Sequence, residues 1–245
     1  MAQKIKVGAV SYLNTKPLIY GFEQGLMNDE VELLIDYPSN IASLLQTNRI
    51  DIGLVPVAII PTLAEHHIIS DYCIGCDGEV ASVCLFSEVP LAEVSTILLD
   101  YQSRTSVALL EILIREHWKI TPELRAAAAD YEKNISGTTA GLVIGDRALA
   151  QRTRSKYIYD LGSAWKEMTG LPFVFAAWVS NKRLVPQFIN AFNDTVSEGT
   201  KHIDDILQVV HLPEYDLRQY YYSNIDFRFD DPKKRALGLF LSFLS

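Results

Sequence analysis

An apolar run that ends in a polar turn and opens straight into a helix start occurs four times in this chain. KVGAVSYLNTKPL at 6–18 has the layout of TILLDYQSRTSVALL at 96–110. DIGLVPVAI at 51–59 has the layout of AGLVIGDRAL at 140–149. Each apolar run is short enough for a buried strand and too short for a helix of its own. Strands that alternate with helix starts in this way build an α/β sheet, with each helix beginning beyond the carboxyl end of its strand.

The first segment reads as strand 5–10, a helix to about Gln24, a strand in VELLIDY, and a helix in NIASLLQTNR. Ser39 is the expected cap of that second helix, and Ile41, Leu44 and Leu45 fall on one of its faces. IDIGLVPVAIIPTL then gives a third strand, a break at Pro56 and a short helix. The pattern recurs in outline through STILLD, the amphipathic run YQSRTSVALLEILIREHW, a short strand near 126–129 and AGLVIGDRALAQR. From about Leu184 the chain reads as helical, and it ends in DDPKKRALGLFLSFL, a helix started by Asp230 or Asp231 with Pro232 in its first turn.

Two similar α/β halves imply two lobes with a ligand cleft between them. The chain is expected to cross near 86–91 and to return near 173–180. Residues 1–88 and 180–245 then form one discontinuous lobe and 89–179 the other. Ligands of open α/β sheets lie beyond the carboxyl ends of the strands. Ser11, Tyr12, Asn14, Thr15, Pro56, Ser103, Arg104, Thr105, Ser106, Gly145 and Asp146 all fall at such ends.

At 11–16 a hydroxyl, a phenol, an amide, a second hydroxyl and an ammonium crowd one helix start. A helix cap uses one of them. A pocket for an anion uses several, because free N–H groups and the helix dipole favour a carboxylate by ~0.3–1 kcal/mol each. Both readings stand at this level. In SRTS at 103–106, a positive charge in the first helical turn opposes the dipole, so Arg104 reads as a carboxylate contact, with a surface Arg pointing to water as the alternative. Asp146 is by default the cap of its own helix, with a general base as the sharper alternative, and Arg147 either pairs with it or points outward. Ser82, in the strand of DGEVASVCLFS, either faces the cleft or faces solvent.

Composition narrows the function. The chain has 245 residues, 49% of them hydrophobic, and a formal charge of −8 with no Lys/Arg-rich run. It can build a large core, and neither nucleic acid nor an anionic membrane surface is an expected partner. The oligomeric state is not readable. No apolar run approaches the ~20 residues of a membrane span and no leader precedes the first strand, so a cytoplasmic location is expected. The CxxC of Cys73 and Cys76 has no second ligand pair, and with Cys84 it reads as buried or edge thiols. None of the five histidines lies at an expected cleft loop. Phosphate-loop, dinucleotide, HExxH and GxSxG motifs are all missing, so no metal and no cofactor is expected.

SYLNTKPL at 11–18 resembles the signature of the chorismate dehydratases, which open the futalosine route to menaquinone. The likeness continues, in order, through DGEVASVCLFS, SRTSVALL, GLVIGDRAL, DLGSAWKEMTGLPFVFAAW at 160–178 and NIDFRFDD at 224–231. Glu79, Ala81 and Arg147 depart from the family pattern, and Arg147 is not carried over as a site residue.

The resemblance implies a two-lobed type II periplasmic-binding-protein-like fold, with mixed sheets flanked by helices. It implies conversion of chorismate, a small dicarboxylate, to 3-[(1-carboxyvinyl)oxy]benzoate and water. Asn14 is then the expected polarising residue, with Asp146 or a substrate carboxylate as base. Ser11, Tyr12, Thr15, Ser82, Ser103, Arg104, Thr105, Ser106 and Gly145 are the expected binding residues. A small-anion binding protein and the related 1,4-dihydroxy-6-naphthoate synthase are the alternatives.

Overall fold

The computed structural model describes residues 4–244. Among the described residues, eleven strands fall into two sheets. In chain order they are β1 (Ile5–Val10), β2 (Val31–Asp36), β3 (Ile52–Pro56), β4 (His67–Cys76), β5 (Val83–Ser87), β6 (Thr96–Leu99), β7 (Glu123–Ala126), β8 (Thr139–Ile144), β9 (Tyr157–Asp160), β10 (Phe173–Ser180) and β11 (Asp226–Arg228).

The first sheet runs β11-β4-β10-β3-β1-β2. β2, β1 and β3 are parallel, while β10 is antiparallel to both β3 and β4. The second sheet runs β7-β6-β8-β5-β9, with β7, β6 and β8 parallel and β5 antiparallel to β8 and β9. Both sheets are therefore mixed, as expected. Ile52, Leu54 and Val55 of β3 are fully buried, which is why that segment reads as a continuous apolar run rather than an alternating one.

The chain changes sheet earlier than expected. β5 belongs to the second sheet and β10 to the first, so the crossings fall before 83 and before 173 rather than at 88 and 180. VCLFS and FVFAAWVS are interior strands, apolar on both faces. Such a run announces a strand without saying which sheet it enters.

The helix Lys16–Glu23 packs against the long helix Pro186–Lys201 at backbone distance. A Cβ on Gly199 would sit 1.8 Å from the Pro17 carbonyl oxygen, and one on Gly21 would sit 2.2 Å from that of Thr195. Two glycines thus fix the helix that follows the polar turn at 11–16 against the C-terminal part of the chain. The second helix starts at Pro38 with Tyr37 at its cap position and no side-chain cap, so Ser39 is not the cap. A proline suits the first helical position, because its missing N–H needs no partner there. Ser103, Asp160 and Asp230 do cap their helices, accepting from Ser106, Ser163 and Lys233. Among the described residues no helix is long and apolar enough to cross a membrane.

Candidate active site

The strand ends meet at a cleft between the sheets. Its polar lining is Tyr12 and Asn14 beyond β1, Ser82 before β5, and Gln102, Ser103 and Ser106 beyond β6. Gly145 lies beyond β8, and Pro38, Leu54, Pro56, Ile74, Val80, Val83, Ile144 and Phe175 are among the apolar walls. None of the described residues lining the cleft is charged.

Tyr12 and Gln102 tie the strand ends of the two sheets together. The ring of Tyr12 packs on Gly145, where a Cβ would meet it at 3.3 Å. Gly145 has φ 64°, a left-handed conformation that glycine adopts without cost. The Tyr12 phenol donates to Gln102 Oε1. Burial, followed by the nearby Asp100 carboxylate, pushes that phenol well above its usual range, so it stays a donor.

Ser103 Oγ accepts from the Ser106 backbone N–H at 3.1 Å and donates to Ser106 Oγ at 2.8 Å. Two hydroxyls three residues apart therefore share the cleft face of the helix Arg104–Ile112. Arg104 does not join them. It is exposed on the outer face beside Asp100, Tyr101 and Glu111, because the cleft side of that turn is already taken by the serines. Thr105 is buried and accepts the Ala58 N–H at 3.1 Å, tying this helix to the segment after β3.

At the first turn Thr15 stands at the cap position of the helix Lys16–Glu23, but neither its side chain nor that of Asn14 caps the helix. Tyr12 occupies the cap position of the short 3-10 turn Leu13–Thr15, and no side chain of that turn accepts one of its N–H groups. The Leu13 N–H is instead taken from the other sheet by Asp146 Oδ1 at 3.2 Å. So Asp146 does not cap its own helix either, and it does not line the cleft. Burial raises its carboxyl above the usual range, while the Leu13 N–H pulls the other way. Thr15 is wholly buried and Ser11 is exposed, and neither lines the cleft. Lys16 points outward to Glu23.

Ser82 is delivered by a strained turn. Ala81 before it has φ 61°, a conformation that costs a residue with a Cβ ~1–2 kcal/mol. Asp160 holds it there, accepting the N–H groups of Val80 at 3.1 Å and Ala81 at 2.8 Å. Ser82 Oγ accepts the phenol proton of Tyr220 at 2.8 Å. The next residue, Tyr221, donates to the Leu13 carbonyl at 2.9 Å.

Arg147 does not pair with Asp146. Its guanidinium meets Asp100 at 2.7 Å, Glu132 at 2.6 Å and Gln102 Oε1 at 3.1 Å. It thus stands behind the acceptor that Tyr12 uses. Gln102, Asp160, Tyr220 and Tyr221 were not among the residues expected from sequence. Gln102 sits within the strand-end turn before SRTS, whereas for Tyr220 and Tyr221 the aromatic run YYY at 220–222 was the signal, and it lies far along the chain from every strand-end turn.

The family model described as menaquinone biosynthesis matches residues 5–245. Chorismate dehydratase of Thermus thermophilus is 25% identical, over 97% of this chain and 94% of its own length. The Campylobacter jejuni protein of the same name is 29% identical over 54% of this chain and 61% of its own. Among solved structures, a protein of Archaeoglobus fulgidus superposes with a TM-score of 0.76 at 12% identity, covering 98% of this chain and 96% of that one. The periplasmic aliphatic sulphonate-binding protein of Escherichia coli does so with a TM-score of 0.59 at 12% identity, over 99% and 88%. The fold is that of the periplasmic binding proteins.

Proposed function

We propose that this chain, which belongs to the menaquinone biosynthesis family, is a chorismate dehydratase acting as a carbon–oxygen lyase. The observation that carries this reading is the character of the cleft: hydrogen-bond donors from both sheets converge on an uncharged, largely apolar space. Such a space suits a ring that becomes aromatic. The donors suit a substrate with two carboxylates and a departing hydroxyl.

The anions are held without a cation. The N-terminus of the helix Arg104–Ile112, with Ser103 and Ser106, suits one carboxylate, and each free N–H there contributes ~0.3–1 kcal/mol, up to ~2 when partly buried. Asn14 polarises the departing hydroxyl or a carboxylate from the opposite wall.

Elimination breaks the ring C–H at the ether-bearing carbon and the C–O bond to the neighbouring hydroxyl. The released electron pair completes the aromatic ring, and the proton and hydroxide leave together as water. An amide is a poor base, and the Asp146 carboxylate is engaged by Leu13 away from the cleft lining. We therefore assign the proton transfer to a carboxylate of the substrate itself, held at the ring by the donors.

Incubating the protein with chorismate and following the ultraviolet loss of the ring diene tests the reading. Turnover to a product lighter by one water is expected. Tight binding with an unchanged spectrum would instead identify a small-anion binding protein.

A further inference from the structure

Tyr220 is wholly buried at the start of the turn Tyr220–Asn224 and does not line the cleft. It nevertheless touches a side chain that does: its phenol donates to Ser82 Oγ at 2.8 Å. A phenol has one proton. With that proton committed to Ser82, the bond has one direction. Ser82 receives a proton on Oγ, so its own proton is free for the cleft. The polarity runs one way, from Tyr220 O–H to Ser82 O–H to the cleft, and the first bond strengthens the second.

We propose that Tyr220 is a positioning residue for the dehydration: it fixes Ser82 as a proton donor into the cleft. The inference rests on the dehydratase reading, in which a hydroxyl must depart. A serine hydroxyl rotates freely, and without Tyr220 its proton has no reason to face the substrate. Burial raises the Tyr220 phenol well above its usual range, so the chain keeps its direction across the neutral range.

A double-mutant cycle of Tyr220→Phe and Ser82→Ala on chorismate turnover tests this, with thermal melting of each variant. Tyr220→Phe is expected to melt within about 5 °C of wild type and to lose kcat by roughly 10–100-fold, with KM within about three-fold. The double variant is expected to be no slower than Ser82→Ala alone, within about three-fold, because both changes remove the same donated proton. Losses that multiply, or an unchanged kcat in Tyr220→Phe, would overturn the proposal while leaving the dehydratase reading intact. A wild-type protein that does not turn over chorismate would overturn both. Should Tyr220→Phe not fold, 3-fluorotyrosine placed at 220 keeps the ring and hydroxyl while making the donor more acidic. Its effect on kcat, about two-fold or more, is expected to vanish in the Ser82→Ala background, and an equal effect in both backgrounds would overturn the proposal.

Discussion

Asp146 Oδ1 accepts the backbone N–H of Leu13 at 3.2 Å, so a carboxylate carried by the second sheet satisfies a helix-start donor carried by the first. That donor would otherwise be one of the free N–H groups available to a ligand. The contact also has a consequence for pH. Burial raises the Asp146 carboxyl, and a group whose folded pKa is raised adds stability that is complete below its unfolded value of ~4. That stability is lost as pH rises through the folded value. Asp146→Asn is expected to remove this dependence. The melting temperature of the variant relative to wild type should be higher at pH 7 than at pH 4. An offset that stays constant between those pH values would contradict the assignment.

Arg147 and Asp100 form the polar support behind Gln102 and Tyr12. The Asp100 side chain is wholly inaccessible and also accepts the Tyr131 phenol at 2.8 Å, whereas the Arg147 side chain is 31% exposed. Removing the cation leaves a buried carboxylate with one fewer donor. A fully buried pair broken in this way costs ~3–5 kcal/mol, and the exposure of Arg147 reduces the expectation to about 2–3 kcal/mol. Urea unfolding of Arg147→Met measures it. Asp100→Asn in the same chain should restore at least half of the loss, because a neutral amide needs no counter-ion. A loss below about 0.5 kcal/mol in the single variant would mean that the pair carries no stability.

The strand-end logic found the cleft side of the site because it depends on local pattern. An apolar run, a polar turn and a helix start are contiguous, so Tyr12, Asn14, Ser103, Ser106 and Gly145 could be located from sequence and do line one cleft. Side-chain direction was not legible. Arg104 and Ser103 are adjacent, yet one points outward and one inward, and only the packed helix decides that. The supports were not legible either. Asp160 reaches Ala81 and Tyr220 reaches Ser82 over separations of 79 and 138 residues. No local periodicity encodes such pairs. The early crossings at β5 and β10 were missed for a related reason, since strands buried on both faces do not declare their neighbours.

Cys73, Cys76 and Cys84 are all buried, and burial raises each thiol above its usual range. Cys73 and Cys76 stand three positions apart on β4, which turns their side chains to opposite faces of the sheet. A thiol-reactive disulfide reagent is therefore expected to leave all three unmodified in the native protein and to titrate all three in guanidinium. Rapid native loss of Cys73 and Cys76 as a pair would point to a redox role for the CxxC.

The account holds that Asn14 acts on the substrate from the cleft wall while Asp146 serves the architecture from behind it. The rate of chorismate consumption at saturating substrate by Asn14→Ala and Asp146→Asn, measured side by side with wild type, separates these roles most directly. Asn14→Ala is expected to lose kcat by roughly 100-fold or more with its fold intact, the scale for removing a preorganised polar group from a reacting centre. Asp146→Asn is expected to stay within about five-fold of wild type, because its amide oxygen still accepts from Leu13 and carries no proton in the reaction. A collapse of kcat in Asp146→Asn beside near-normal turnover in Asn14→Ala would contradict the account and make Asp146 the base.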